Sequence, residues 1–193
     1  MTRRLPRWIV DVVETLVLTL VAFFVIQTFV AQPFQVHQTS MESTLEPGQY
    51  VLVDKLTPRW SPYQRGDIVV LHPPNGWEEG DDPTPFIKRV IGLPGDQIEI
   101  RDDGHVYVNG QALDEDGYTY KDPAGDSQPT TPLSDTSSWT LGSDELFVMG
   151  DHRESSADSR AFGPIAVSSV IGRAFLRYWP ASTFGILARP AYP

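Results

Sequence analysis

Beyond residue 31 this chain never sustains the apolar period of an amphipathic helix. Short apolar runs recur instead, at residues 50–53, 68–71, 86–91, 97–100, 106–108, 145–149 and 170–176, with turn residues between them. Seventeen prolines and 15 glycines supply the punctuation. The run ending at Val108 enters Asn109-Gly110, the strongest two-residue hairpin signal. Many short strands separated by turns predict an all-β domain of mostly antiparallel strands. Residues 112–139, rich in Asp, Gly, Pro, Ser and Thr, read as a polar surface insert, mobile or lightly structured. Residues 73–85, with Glu78, Glu79, Asp81 and Asp82, read as a second polar loop.

One helix is expected ahead of this region. Residues 16–31 carry no charge and only Thr19, Gln27 and Thr28 as polar side chains. Counted from Ile9, the run spans 23 residues, about 34 Å of helix at about 1.5 Å per residue. A bilayer's hydrocarbon core needs about 30 Å. Arg3, Arg4 and Arg7 precede the run, and no basic cluster closely follows it. The positive-inside rule then predicts a cytoplasmic N-terminus over residues 1–8, a transmembrane anchor over 9–31 and an extracytoplasmic domain over 32–193. Asp11 and Glu14 fall in the first turns, at headgroup depth. A cleaved export signal would have a shorter apolar core and small residues at its cleavage site; cutting after Ala31 would leave the large Phe29 two residues upstream.

Composition excludes several functions. With no cysteine, the chain has no disulfide, thiolate nucleophile or cysteine–zinc site. Beyond Pro33, 12 basic residues face 23 acidic ones, a poor balance for holding nucleic acid. No histidine–carboxylate spacing points to a metal, and none of His37, His72, His105 and His152 sits in a recognisable triad motif.

Two residues stand out against that background. Ser40 lies just past the apolar run, in Thr39-Ser40-Met41-Glu42-Ser43-Thr44-Leu45. Lys88 lies within the strand-like run Phe86-Ile87-Lys88-Arg89-Val90-Ile91. A serine hydroxyl is a weak nucleophile and needs a base. Lysine serves when it is neutral near pH 7, which costs its ammonium roughly 4–5 kcal/mol. Burial among apolar groups supplies such a cost. Strand alternation puts Phe86, Lys88 and Val90 on one face and Ile87 and Arg89 on the other. Read singly, Lys88 would serve as an edge-strand charge and Ser40 as a turn residue.

A third block changes that reading: Gly150-Asp151-His152-Arg153-Glu154-Ser155-Ser156-Ala157-Asp158-Ser159-Arg160. Together with Ser40-Met41 and Thr44-Leu45, and with residues 87–96 (Ile-Lys-Arg-Val-Ile-Gly-Leu-Pro-Gly-Asp), it resembles bacterial type I signal peptidase, over essentially residues 8–180. The resemblance implies a membrane-anchored serine endopeptidase that cuts signal peptides from exported preproteins. Its fold would be the signal-peptidase-like β-domain, and its site would use no cofactor and no metal. Ser40 takes the nucleophile's place, Lys88 the general base's and Ser156 that of the hydroxyl that orients the lysine. Asp158 and Arg160 take the place of a structural ion pair, while Gly150 and Asp151 hold the turn beside the site. Phe34, Val36, Met41, Leu45, Phe86 and Ile87 would line shallow pockets for the small substrate residues at positions −1 and −3. Preproteins, membrane lipid and a nearby export translocon would be its partners, with Trp60 suited to the membrane interface. A self-cleaving Ser/Lys repressor shares the dyad but needs a DNA-binding head. A catalytically dead envelope-binding domain has no reason to keep all five polar positions.

Three positions depart from the family's pattern. Ser43 and His152 stand where proline and asparagine are common, and His152 is not expected to be catalytic. Gln38 stands where many members have a serine that helps hold the oxyanion. A glutamine amide donates the same kind of hydrogen bond, so the expected hole comprises the Ser40 N–H and the Gln38 side chain.

Overall fold

A computed structural model describes residues 6–74, 84–190 and 192. Arg3, Arg4 and the acidic part of the 73–85 loop lie outside the described residues. The chain opens with helix α1 (Arg7–Val25), followed by a π-helical turn at Ile26–Val30. Within Arg7–Val30 an 18-residue stretch reaches a mean hydropathy of 2.5, and none of that stretch is buried against the rest of the chain. The helix is therefore long and apolar enough to cross a membrane.

Strand β1 (Ala31–Gln35) follows without a loop, so Ala31, expected as the last anchor residue, begins the sheet. The strands after it are β2 (Tyr50–Asp54), β3 (Ile68–Leu71), β4 (Phe86–Gly92), β5 (Gln97–Ile100), β6 (Val106–Val108), β7 (Gln111–Ala112), β8 (Ser138–Thr140), β9 (Glu145–Met149), β10 (Ile165–Ala166), β11 (Val170–Trp179) and β12 (Gly185–Ile186). Each of the seven apolar runs read from the sequence lies within a strand. The largest sheet runs β1-β2-β11-β3-β4-β9-β10, with β12 paired to β11. A smaller sheet runs β7-β6-β5-β8. All described pairings are antiparallel. At the β6–β7 hairpin, Asn109 (φ 52°) and Gly110 (φ 82°) take the left-handed geometry of a two-residue turn.

β4 sits between β3 and β9, in the middle of the large sheet. All seven of its residues are buried, so Lys88 is no edge-strand charge. Alternation sends Ile87 into the core formed by Val36, Met41, Leu45, Val51, Val53 and Val70. Phe86 and Val90 go into a different core with Val69, Leu71, Leu146 and Val148. A third core, including Ile91, Ile98, Val106, Val108 and Phe147, joins the two sheets.

Helix is scarce beyond β1, as the missing periodicity predicts. Its one α-helical stretch among the described residues is α2 (Ser159–Phe162), capped by Asp158, whose carboxylate accepts from the Arg160 N–H. The insert at 112–139 carries little regular structure beyond the margins of β7 and β8 and a bridge between Lys121 and Ser127. It is tied down nonetheless, for Leu113, Tyr118 and Thr130 are buried.

Candidate active site

Ser40 lies on a single 3-10 turn, Thr39–Met41, shortly after β1. Both it and Lys88 are almost wholly buried, at 4% and 1% exposure. Lys88 Nζ donates to Ser40 Oγ at 2.7 Å, across 48 residues of sequence. The same amine lies 5.0 Å from the centre of the Phe86 ring. Burial pushes the Lys88 amine down from 10.5 to about 8, against the opposing pull of the Asp158 carboxylate, while Arg160 adds to the depression. A usable fraction of the amine is therefore neutral near pH 7.

Three buried arginines fix the surroundings. Arg89, on the opposite face of β4 from Lys88, binds Asp151 through Nε at 2.8 Å and Nη2 at 2.6 Å. Thr44 donates to the same carboxylate at 2.6 Å, which ties the Ser40 turn to the third block. Arg160 and Asp158 form a two-point pair, with both contacts at 2.9 Å. Arg153 holds Glu115 of the insert at 2.5 and 2.9 Å, and its Nε donates to the Gly150 carbonyl at 3.0 Å. Burial alone would raise the Asp158 pKa, but Arg160, the Gly150 N–H and the Ser156 hydroxyl hold it below its ordinary value.

Ser156 is buried, and its hydroxyl donates to Asp158 Oδ2 at 2.7 Å. Its proton is thus committed to the carboxylate, leaving oxygen lone pairs as its means of meeting an amine. Gly150 explains the closeness of the two blocks. A Cβ there would fall 2.5 Å from the Ser40 carbonyl oxygen and from Ser156 Cβ. The His152 N–H completes the seam, donating to that same Ser40 carbonyl at 3.0 Å.

Two cavities border Ser40. One, of about 340 Å³, is lined by Gln38, Ser40, Phe86, Lys88 and Ser155 among others. The other, of about 10 Å³, is lined by Val36, Gln38, Ser40, Met41 and Ile87 among others, and its volume suits roughly one water-sized group. The exposed Gln38 borders both. Phe34 is half-buried against the neighbouring core, and Leu45 is entirely within it; neither lines these two cavities. Among the described residues no group of three or more His, Asp or Glu side chains is arranged to hold a metal ion.

Comparison with known proteins decides the family. Residues 9–179 match the model of the family described as signal peptidase, peptidase S26. This chain belongs to that family. It is a serine peptidase that cleaves signal peptides from preproteins. It is 35% identical over 178 residues to the probable signal peptidase I-2 of Synechocystis sp., covering 92% of this chain and 77% of that one. It is 33% identical over 192 residues to signal peptidase IB of Staphylococcus aureus, covering 95% and 94% of the two chains. A crystal structure of signal peptidase I from Enterococcus faecalis aligns at 30% identity and a TM-score of 0.41, covering 58% of this chain and 97% of that one.

Sequence reading missed the Glu115–Arg153 pair, the Thr44–Asp151 bond and the contacts of His152. The arginine and histidine of the Asp151-His152-Arg153 run were visible, but their partners lie in remote segments. The Gly150 contact is open to a direct test. Gly150→Ala is expected to lower kcat by at least about 100-fold, since displacing reacting groups by about 1 Å has that effect. Kinetics on a folded variant check this; an unchanged kcat would show that the seam tolerates a side chain.

Proposed function

We propose that this signal peptidase works through a Ser40/Lys88 dyad and an acyl-enzyme intermediate. The observation that carries the reading is the 2.7 Å bond between a buried, largely desolvated amine and a buried hydroxyl. Neutral Lys88 takes the Ser40 proton as Oγ attacks the scissile carbonyl. The tetrahedral oxyanion is held by the Ser40 N–H and the Gln38 amide. Its collapse breaks the C–N bond, and the Lys88 ammonium gives its proton to the leaving amine. Lys88, neutral again, then activates a water that hydrolyses the ester and frees Ser40.

Ser156 and Asp158 set the polar edge of the site in this scheme, and Arg160 neutralises Asp158. Val36, Met41 and Ile87 bound the small cavity beside Ser40, so its size favours alanine-sized side chains of the substrate. The strand-like approach of β1 to Ser40 suits a substrate bound as an added strand. Preproteins are the substrates, and the export translocon is the expected neighbour.

Helix α1 is the membrane anchor in this reading, with the residues before it cytoplasmic and the β-domain outside. Its uniformly exposed apolar surface supports a lipid environment. The Lys55 N–H donates to the Val30 carbonyl at 2.9 Å, so the segment leading to Trp60 starts at the helix end. Trp60, 73% exposed, then suits the headgroup region.

Two measurements test the chemistry. With detergent-solubilised enzyme and a peptide carrying an Ala-x-Ala site, kcat should rise with pH and level off above about 8. The sign follows from the base: Lys88 works when neutral, so each pH unit below its pKa removes about tenfold in rate. Ser40→Ala and Lys88→Ala should each lose at least about 1,000-fold. Cleavage by both at the parent's rate would eliminate the dyad. Separately, Gln38→Ala should lower kcat by about 100-fold with little change in KM, and a loss of less than a few-fold would remove Gln38 from the oxyanion hole.

A further inference from the structure

Ser43, three residues after Ser40, holds a φ of 83°. That left-handed conformation is strained for a serine, by about 1–3 kcal/mol. Proline, with φ fixed near about −65°, could not occupy it. The turn that carries Ser40 therefore needs restraint from outside its own sequence.

His152 provides that restraint at two points. Its backbone N–H donates to the Ser40 carbonyl at 3.0 Å. Its ring Nδ1 lies 2.7 Å from Glu42 Oε2, across 110 residues of sequence. The two contacts bracket Met41. The side chains of His152 and Glu42 are only 12% and 23% exposed, so this bond is more sheltered than a surface ion pair. Nδ1–H donates to the carboxylate in the matching neutral tautomer and in the imidazolium alike.

The ring is itself held. Tyr120 of the insert stacks on it, with centroids 3.9 Å apart and planes 13° from parallel. The Tyr120 N–H donates to the Asp151 carbonyl at 3.0 Å, which fixes the tyrosine against the third block. On the other edge, Ser155 Oγ is 3.4 Å from Nε2. Ser155 also lines the cavity that contains Ser40 and Lys88.

We propose that His152 is a positioning residue for Ser40: backed by Tyr120, it clamps Glu42 and so holds the strained nucleophile turn at bonding distance from Lys88. The inference rests on the reading of Ser40 as nucleophile. It also gives the insert a role in the reaction, because Tyr120 supplies one wall of the clamp. His152 touches neither reacting atom, so its loss should act on kcat rather than on substrate binding.

Peptide-cleavage kinetics on the full chain in detergent test this. His152→Ala and Glu42→Ala should each lower kcat about 10-fold, a fraction of the cost of misplacing a reacting group, with KM changed by less than about twofold. The double variant should be no worse than either single one. His152→Asn, whose amide Nδ2 can take the place of Nδ1, should recover kcat to within about threefold of the parent. Glu42→Gln, which keeps an acceptor oxygen, should do the same and decides the matter if the histidine variants fail to fold. Full kcat in His152→Ala or Glu42→Ala would overturn the clamp, as would losses that multiply in the double variant or a failure of both conservative variants to rescue. Ser40→Ala in the same assay separates the two claims. If it is inactive while the clamp variants are fully active, only the clamp falls; if it is as active as the parent, the nucleophile reading falls first.

Discussion

The structure turns on one contact, a lysine amine held out of water against a serine hydroxyl. An exposed lysine has a pKa of about 10.4 and would be charged and useless as a base near pH 7. Lys88 escapes this because it grows from the middle of a strand that is buried throughout. Phe86, two residues earlier on the same face, places its ring against the amine. Burial opposes the charge, and Asp158 softens that opposition, so the amine settles at about 8 rather than far lower. The central position of β4 thus sets the protonation of the amine as well as the packing of the sheet.

Charges of the other sign are handled by pairing. Asp151, Asp158 and Glu115 each meet an arginine that is 2% exposed or less. Such pairs rarely stabilise a fold more than well-packed apolar residues would, but losing one partner costs about 3–5 kcal/mol. Their value here is geometric. Arg89 and Asp151 join the strand of Lys88 to the third block, and Thr44 adds the Ser40 turn to the same carboxylate. Arg153 reaches the insert, and Arg160 closes on the Arg153 carbonyl at 2.6 Å. Three segments distant in sequence are thereby fixed around Ser40 without a disulfide.

Much of this was legible in the sequence, and the parts that were not share a cause. Strand positions came from short apolar runs between turn residues, and the Asn109-Gly110 hairpin from the need for positive φ. The opposite facing of Lys88 and Arg89 followed from alternation alone. Ser40 and Lys88, by contrast, were unremarkable singly and gained meaning from their order with the third block. Local pattern carries no record of a partner 110 residues away, so the Glu42–His152 bond could not be read. Nor could the anchoring of the insert through Glu115, since its composition resembles that of a free loop. Leu45 is ambiguous in the sequence for a related reason: an apolar residue close to Ser40 suits a pocket wall and a core equally, and the fold packs it into a core. The start of β1 at Ala31 was hidden because an apolar helix can run into an apolar strand with no punctuation between them.

The most direct test is the titration of Lys88 itself. Carbon-13 NMR of the enzyme labelled at lysine Cε, assigned with Lys88→Arg, would follow the amine through its own pH midpoint. The account predicts a midpoint near 8, well below the value of about 10.4 for a free lysine. A Lys88 signal that stays protonated past pH of about 10, the range of an unperturbed lysine, would contradict it.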